Sequence, residues 1–234
     1  LTTKSEITKR IEAQLDAAAS ARDLLAGDPQ AAAKREALRV WQAARLARTH
    51  ADLLQSPRYK DTAAFFLTDI YGPKDLSRHE QAVRRIMPLM TTVLPVAGLE
   101  TVADAFELNA LSESLDAGML IALGGKVFNL TDADYAEAYR AVDQRADRER
   151  QIELIVHLGQ SLDRLTRKPF IGTTLTMMRG PAAAAGLGDL QDFLERGYTV
   201  FRKMRGADEF LESIASRERA LLEATFADEG GGGS

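Results

Sequence analysis

The residues best suited to chemistry lie in one run, Phe65-Phe66-Leu67-Thr68-Asp69-Ile70-Tyr71-Gly72-Pro73-Lys74-Asp75-Leu76-Ser77-Arg78-His79-Glu80. Within it, Asp69, Tyr71, Asp75, Arg78 and His79 offer acids, a hydroxyl donor, a cation and a base that titrates near neutral pH. Set around a Gly72-Pro73 corner, they would suit a pocket rim with acid–base chemistry. The same run also suits a rigid corner, in which Gly72 and Pro73 end one helix, Ser77 caps the next and Tyr71 packs. A second group, Asn109, Glu113 and Asp116, continues a helical face begun by Val102 and Phe106. Turned inward, Glu113 and Asp116 would be a close carboxylate pair, which raises one pKa and opens acid–base or metal chemistry. The adjoining stripe of Leu108, Leu111, Leu115 and Met119 favours a plainer expectation. The helix would rotate these acids to solvent, where charged side chains usually sit.

Other patterns exclude more than they suggest. Glu153 and His157 stand four apart, whereas a di-iron bundle repeats Glu-x-x-His twice with two further glutamates. His50 and His79 form no H-x-x-x-H or HExxH unit, and there is no cysteine. No metal, haem or other cofactor is therefore expected. The glycines around Gly180-Pro181 and Gly186-Leu187-Gly188 make neither a G-x-G-x-x-G nor a G-K-S/T phosphate loop, and Asp189 would repel an anion. They read as a compact turn where helices cross closely. Arg145, Arg148 and Arg150 alternate with Asp143, Asp147 and Glu149, as on a solvated helix face. Arg217 and Glu218, between Ile214 and Leu221, are placed to edge the core or join an ion pair.

The elements that must position these residues read as helices throughout. Thr3 to Glu6 is a capping box, followed by Ile7, Ile11 and Leu15 and closed by Gly27 and Pro29. A helix over 29–55 follows, then a short one over 57–71 with Tyr59, Ala63, Phe66 and Ile70 on one face. Ser77 to Glu80 opens the next, which Pro88 is expected to kink. A long helix runs from about 99 to 123, ended by Gly124-Gly125, and Val127 to Leu130 is the one weak strand candidate. Thr131 caps a stretch reaching Arg167, with a break near 142–146. A short helix over 170–178 should stop at Gly180-Pro181, and two helices separated by Gly206 finish the chain. The expectation is an all-α fold, a compact multi-helix bundle of about eight to ten helices. It is read as one domain over 1–229, with an N-terminal helical hairpin (1–55) packed on a core (56–229).

Composition agrees with this reading. The 234 residues are 45% hydrophobic and 27% charged, proportions that can bury a core of this size. A net charge of −4 gives no basic field for nucleic acid or an anionic surface, so no nucleic-acid partner is expected. No apolar run is long enough to span a bilayer, and the chain opens at Leu1 without a leader, so a cytoplasmic protein is expected. Gly230 to Ser234 reads GGGGS, a flexible linker unit kept out of the fold.

The string FFLTDIYGPKD, together with LGDLQDFLERGYTVFRKMR over 187–205, resembles an uncharacterised all-helical proteobacterial family with an FFLxDxYGPxD motif. The resemblance covers about residues 40–220. It implies a helical fold and a bacterial source, and it carries no activity, ligand or catalytic residue. Three functions stay open. The first is an interaction or regulatory module that binds another protein or a second copy of itself. The second is a bundle holding a small apolar ligand among Phe65, Phe66, Met87, Met90, Phe106, Met177 and Met178. The third is an enzyme working at the Asp69–His79 corner.

Overall fold

Thr3 opens the first helix as its spacing predicts. Its hydroxyl accepts from the Glu6 amide at 3.2 Å, and its own amide donates to the Glu6 carboxylate at 2.7 Å. The computed structural model describes residues 2–70, 77–184, 186 and 188–227, without the side chains of 69, 70, 77–79, 81, 82, 93 and 190. The GGGGS end lies outside the described residues. Eleven α-helices occur among them, and no strand.

The first two helices are α1 (Lys4–Asp23) and α2 (Ala31–Thr49). The single helix expected over 29–55 breaks at His50, beyond which α3 (Ala51–Gln55) is one short turn. The break accompanies an inward imidazole: His50 is buried against the last helix. α4 (Lys60–Phe65) passes into a π-helical turn, Phe66–Ile70. α5 (Ser77–Val93) contains Pro88 within its C-terminal part. α6 (Val96–Leu123) is the longest helix. Gly124, at φ 54°, ends it in a conformation that glycine adopts freely. The weak strand candidate at Val127 to Leu130 is instead largely a 3₁₀ turn, Gly124–Asn129, that buries Val127. Such a short apolar run carries no period to tell strand from helix.

α7 (Asp132–Val142) begins at Thr131, whose hydroxyl accepts from the Asp134 amide at 3.1 Å. Asp143 takes a left-handed φ of 47° and separates it from α8 (Arg145–Thr166). α9 (Ile171–Ala184) does not stop at Gly180-Pro181 as expected but continues through it. That proline lies in the last turn and a half of a helix on the outside, where one lost backbone bond faces water. α10 (Gly188–Met204) and α11 (Asp208–Ala227) complete the chain, with Gly206 at φ 121° between them.

α6 is the axis of the bundle. It is apolar around most of its circumference, as a helix surrounded by others must be. α1 runs along it in the same direction: Arg10 bonds Glu107 at 2.8 Å, and Leu25, just past α1, shares a core cluster with Leu120 and Leu123. α1 thus takes its long partner in α6. α2 adds to the same cluster through Leu38, beside Val127 and Tyr135. On another flank α8 runs antiparallel to α6, with Arg150 on Glu107 at 2.7 Å and His157 on Asp104 at 3.0 Å. α11 crosses α8 where Gly159 faces Leu211 without a side chain between them. A second core cluster joins α4, α10 and α11 through Phe65, Phe66, Phe201, Met204 and Phe210. The Phe66 ring sits 5.4 Å from that of Phe210 and 6.1 Å from that of Phe201.

Candidate functional site

Glu113 and Asp116 do not turn to solvent. Glu113 is 4% exposed, and both residues are buried. The physical reason is the position of α6: α1 and α2 lie over the face that carries the two acids and bring Arg22, Arg39 and Gln42 against them. The expectation treated α6 as a surface helix with one apolar stripe.

The buried carboxylates are met by cations from other helices. Arg39 of α2 donates to Glu113 Oε1 at 2.7 Å, and its Nε lies 3.7 Å from Asp116 Oδ2. Gln42, one turn further on α2, donates to Asp116 Oδ1 at 3.0 Å. Arg22, in the last turn of α1, donates through Nη2 to Glu80 Oε1 at 2.5 Å, and its Nη1 is 3.7 Å from Glu113 Oε1. A chain of charges therefore crosses the bundle in the order Glu80, Arg22, Glu113, Arg39, Asp116, Gln42. Burial pushes the Asp116 carboxyl above its ordinary value, against the opposing pull of Gln42, Arg39 and Arg148; the negative charge of Glu113 adds to the rise. Glu113 Oε2 and Arg22 Nη1 are buried without a hydrogen-bond partner. The arrangement can hold a proton on Asp116 and fix α1, α2, α5 and α6 against one another. Among the described residues no group of three or more His, Cys, Asp or Glu side chains could hold a metal.

The corner residues enter only through the backbone. Asp69 belongs to the π-helical turn, and Arg78 and His79 to the first turn of α5. Their side chains, and Tyr71 and Asp75 altogether, lie outside the described residues. Glu80, which the sequence offers as a capping partner for Ser77, directs Oε1 to Arg22 and so ties the start of α5 to the polar interior. Asn109 is partly buried on α6, earlier than the two acids.

Two further ion clusters lie elsewhere. Arg45 donates to both oxygens of Glu218 at 2.8 and 2.7 Å, and His50 Nε2 is 3.1 Å from Glu218 Oε1. Burial raises the Glu218 carboxyl, but the His50 and Arg45 contacts outweigh it and hold the group below its ordinary value. Arg217 pairs with Asp52, whose carboxyl falls to about 2. The alternatives for Arg217 and Glu218 thus resolve as ion pairs. The third cluster places Asp104 between Arg10 and His157. Arg148 departs from its expected solvated face: it is buried, with its guanidinium carbon 4.4 Å from the centre of the Tyr139 ring. Burial drives the Tyr139 hydroxyl up to about 12.

Sequence reasoning passed over Arg22, Arg39 and Gln42. Arg39 and Gln42 each follow a core-facing residue, Leu38 and Trp41, and that flanking position was the available signal. The seven apolar residues proposed to line one cavity are dispersed. Phe65 and Phe66 fill the α4/α10/α11 core, Met87 packs on α1 and α6, and Met177 and Met178 are exposed. Beside Phe66 and His50 there is a cavity of about 20 Å³, the space of a single water. A groove of about 550 Å³ between α1, α6 and α8 is open to solvent and lined by none of the seven. No helix among the described residues is long and apolar enough to cross a membrane.

No curated protein and no solved structure matches the chain. The model of a family described as a domain of unknown function (DUF8198) matches residues 21–231, and the chain belongs to that family.

Proposed function

We propose that this chain is a helical protein-interaction module and that the outer face of α9 is its docking surface. One observation carries the reading. α9 buries only Ala182, while Phe170 immediately before it is 78% exposed and Met177 is 73% exposed. Met178 and, on α10, Leu194 add further exposed apolar surface. α9 is fastened mainly to α10, through Arg179 on Glu195 and through Gln191 donating to the Leu175 carbonyl at 2.6 Å. An apolar helix held on one side only is the kind of surface that a partner helix covers, and methionines adapt to its contours. The partner is another protein or a second copy of the chain. We take its setting to be the bacterial cytoplasm.

The apolar-ligand reading has less support, since the cavity beside Phe66 would hold about one water. The test is a photo-crosslinking amino acid at position 177 in cells, with sedimentation of the pure chain over a concentration range. A discrete adduct, or self-association weakened by Phe170→Ser and Met177→Glu at unchanged melting temperature, supports the reading. A monomer at all concentrations that yields no adduct at 177 overturns it.

A further inference from the structure

We propose that α9 packs antiparallel against α9 of a second copy of the chain, across a two-fold axis at Met177. The inference rests on the reading of α9 as a docking surface and names its occupant. The outer face of α9 follows one helical stripe, Phe170, Thr174, Met177, Pro181 and Ala184, and all five residues are exposed. Phe170 belongs to that stripe although it precedes the helix, because the Thr174 amide donates to its carbonyl at 2.8 Å. Its φ of 69° is left-handed, a conformation that a bulky residue adopts only at a cost. Within one copy no burial offsets that cost, since the residue is 78% exposed.

Charge and size select a second copy as the cover. Residues 169–188 hold a single charged side chain, Arg179, in a chain that is 27% charged. Glu195 of α10 accepts from Arg179 at 2.7 Å, so the face carries no net charge. A two-fold contact sets a face against itself, where a net charge would repel. The flanking charges differ in sign. Exposed Lys168 stands before α9, and exposed Asp189 and Asp192, in the first turns of α10, follow its C-terminal end. Antiparallel pairing brings the lysine of one copy toward the aspartates of the other, whereas parallel pairing sets like charges together. Met177 is the midpoint of the stripe, seven residues from Phe170 and seven from Ala184. Antiparallel pairing about it sets the Phe170 ring of each copy over Ala184 of the other, and Thr174 beside Gly180. Large side chains then meet small ones, as closely packed helices require. Parallel pairing would crowd two phenyl rings at one end and leave two alanines at the other.

The chain has no cysteine, so single cysteines on the full chain report without background. Met177→Cys should join to itself through a short bis-maleimide, and Phe170→Cys should join to Ala184→Cys when the two variants are mixed. Phe170→Cys should not join to itself, because antiparallel helices hold those two positions 14 residues of rise apart, about 21 Å. Sedimentation of the unaltered chain should show a monomer–dimer equilibrium that stops at the dimer, as a two-fold contact closes on itself. Met177→Glu sets two like charges across the axis and should weaken the dimer by about tenfold or more at unchanged melting temperature. Joining of Phe170→Cys to itself, growth beyond the dimer, or a monomer at all concentrations would each overturn the proposal. A monomer that still yields a photo-crosslinked adduct at position 177 in cells removes the second copy and leaves the docking surface standing; without that adduct both readings fall.

Discussion

Replacing Glu113 by Gln removes one buried charge while keeping the side chain's size, so its effects separate cleanly. Glu113 Oε1 is 2.7 Å from Arg39 Nη2 and 3.7 Å from Arg22 Nη1, and the residue is 4% exposed. Breaking a buried ion pair by neutralising one partner costs about 3–5 kcal/mol when the remaining charge is stranded. Here neither arginine is stranded. Arg22 keeps Glu80 at 2.5 Å, and Arg39 keeps Asp116 at 3.7 Å. Glu113 Oε2 also has no hydrogen bond to lose. We therefore expect a loss below that range, about 2 kcal/mol, which in a chain of this length lowers the melting temperature by about 4–8 °C. The same substitution has a second consequence of opposite character. The negative charge of Glu113 helps to raise the Asp116 carboxyl, so removing it should bring that carboxyl down. Urea unfolding at neutral pH reads the first effect, and a carbon-detected NMR titration of Asp116 reads the second. Unchanged stability together with an unmoved Asp116 would refute the account of this interior as a coupled chain of charges.

Asp116 binds its proton more tightly folded than unfolded, so its contribution to stability is fully present below about pH 3.8 and is lost as pH rises through its raised folded value. Asp116→Asn should flatten that decline, and a variant whose urea midpoint follows the parent's pH dependence would count against it. Glu218 behaves in the opposite sense: held below its ordinary 4.5, it adds stability above that pH that disappears as acid protonates it. Glu218→Gln should therefore lose stability at pH 7, and the gap to the parent should narrow as the pH falls below 4.5 and the parent's carboxylate takes up its proton, as thermal melts over an acid series would reveal. Gly159→Ala places a methyl into Leu211, with Cδ1 2.9 Å away. Overpacking costs about 1–3 kcal/mol against a gain of about 1 kcal/mol from helix propensity. A net loss is expected, partly recovered by adding Leu211→Val, and a Gly159→Ala variant as stable as the parent would contradict the close crossing. Phe66→Ala empties the space between Phe201 and Phe210 and should cost about 3–4 kcal/mol by denaturant unfolding; a loss under 1 kcal/mol would mean that the core closes over it.

The sequence alone determined what depends on near neighbours in the chain. The capping box at Thr3 and Glu6, the cap at Thr131 and the turns at Gly124 and Gly206 all act within a few residues, so their geometry is written locally. Helical periodicity then sufficed for an all-α fold. Pro181 shows the limit even of a strong local signal. A proline near the end of an exposed helix loses one bond to solvent, so the chain need not stop there.

What only the tertiary structure decided is which helices meet. Glu113 and Asp116 read either as an inward carboxylate pair or as surface acids until α1, α2 and α8 are placed around α6, because burial is a property of the neighbours. Arg22 and Arg39 are 91 and 74 residues from Glu113 along the chain, too far for any spacing rule to connect them. His157 has Asp104 as its partner rather than Glu153, its helical neighbour four residues away. That choice follows from the antiparallel packing of α8 on α6, which brings a buried carboxylate to the imidazole. The apolar face of α9 has the same origin: its composition resembles that of a core helix, and only its place on the outside of α10 leaves it uncovered.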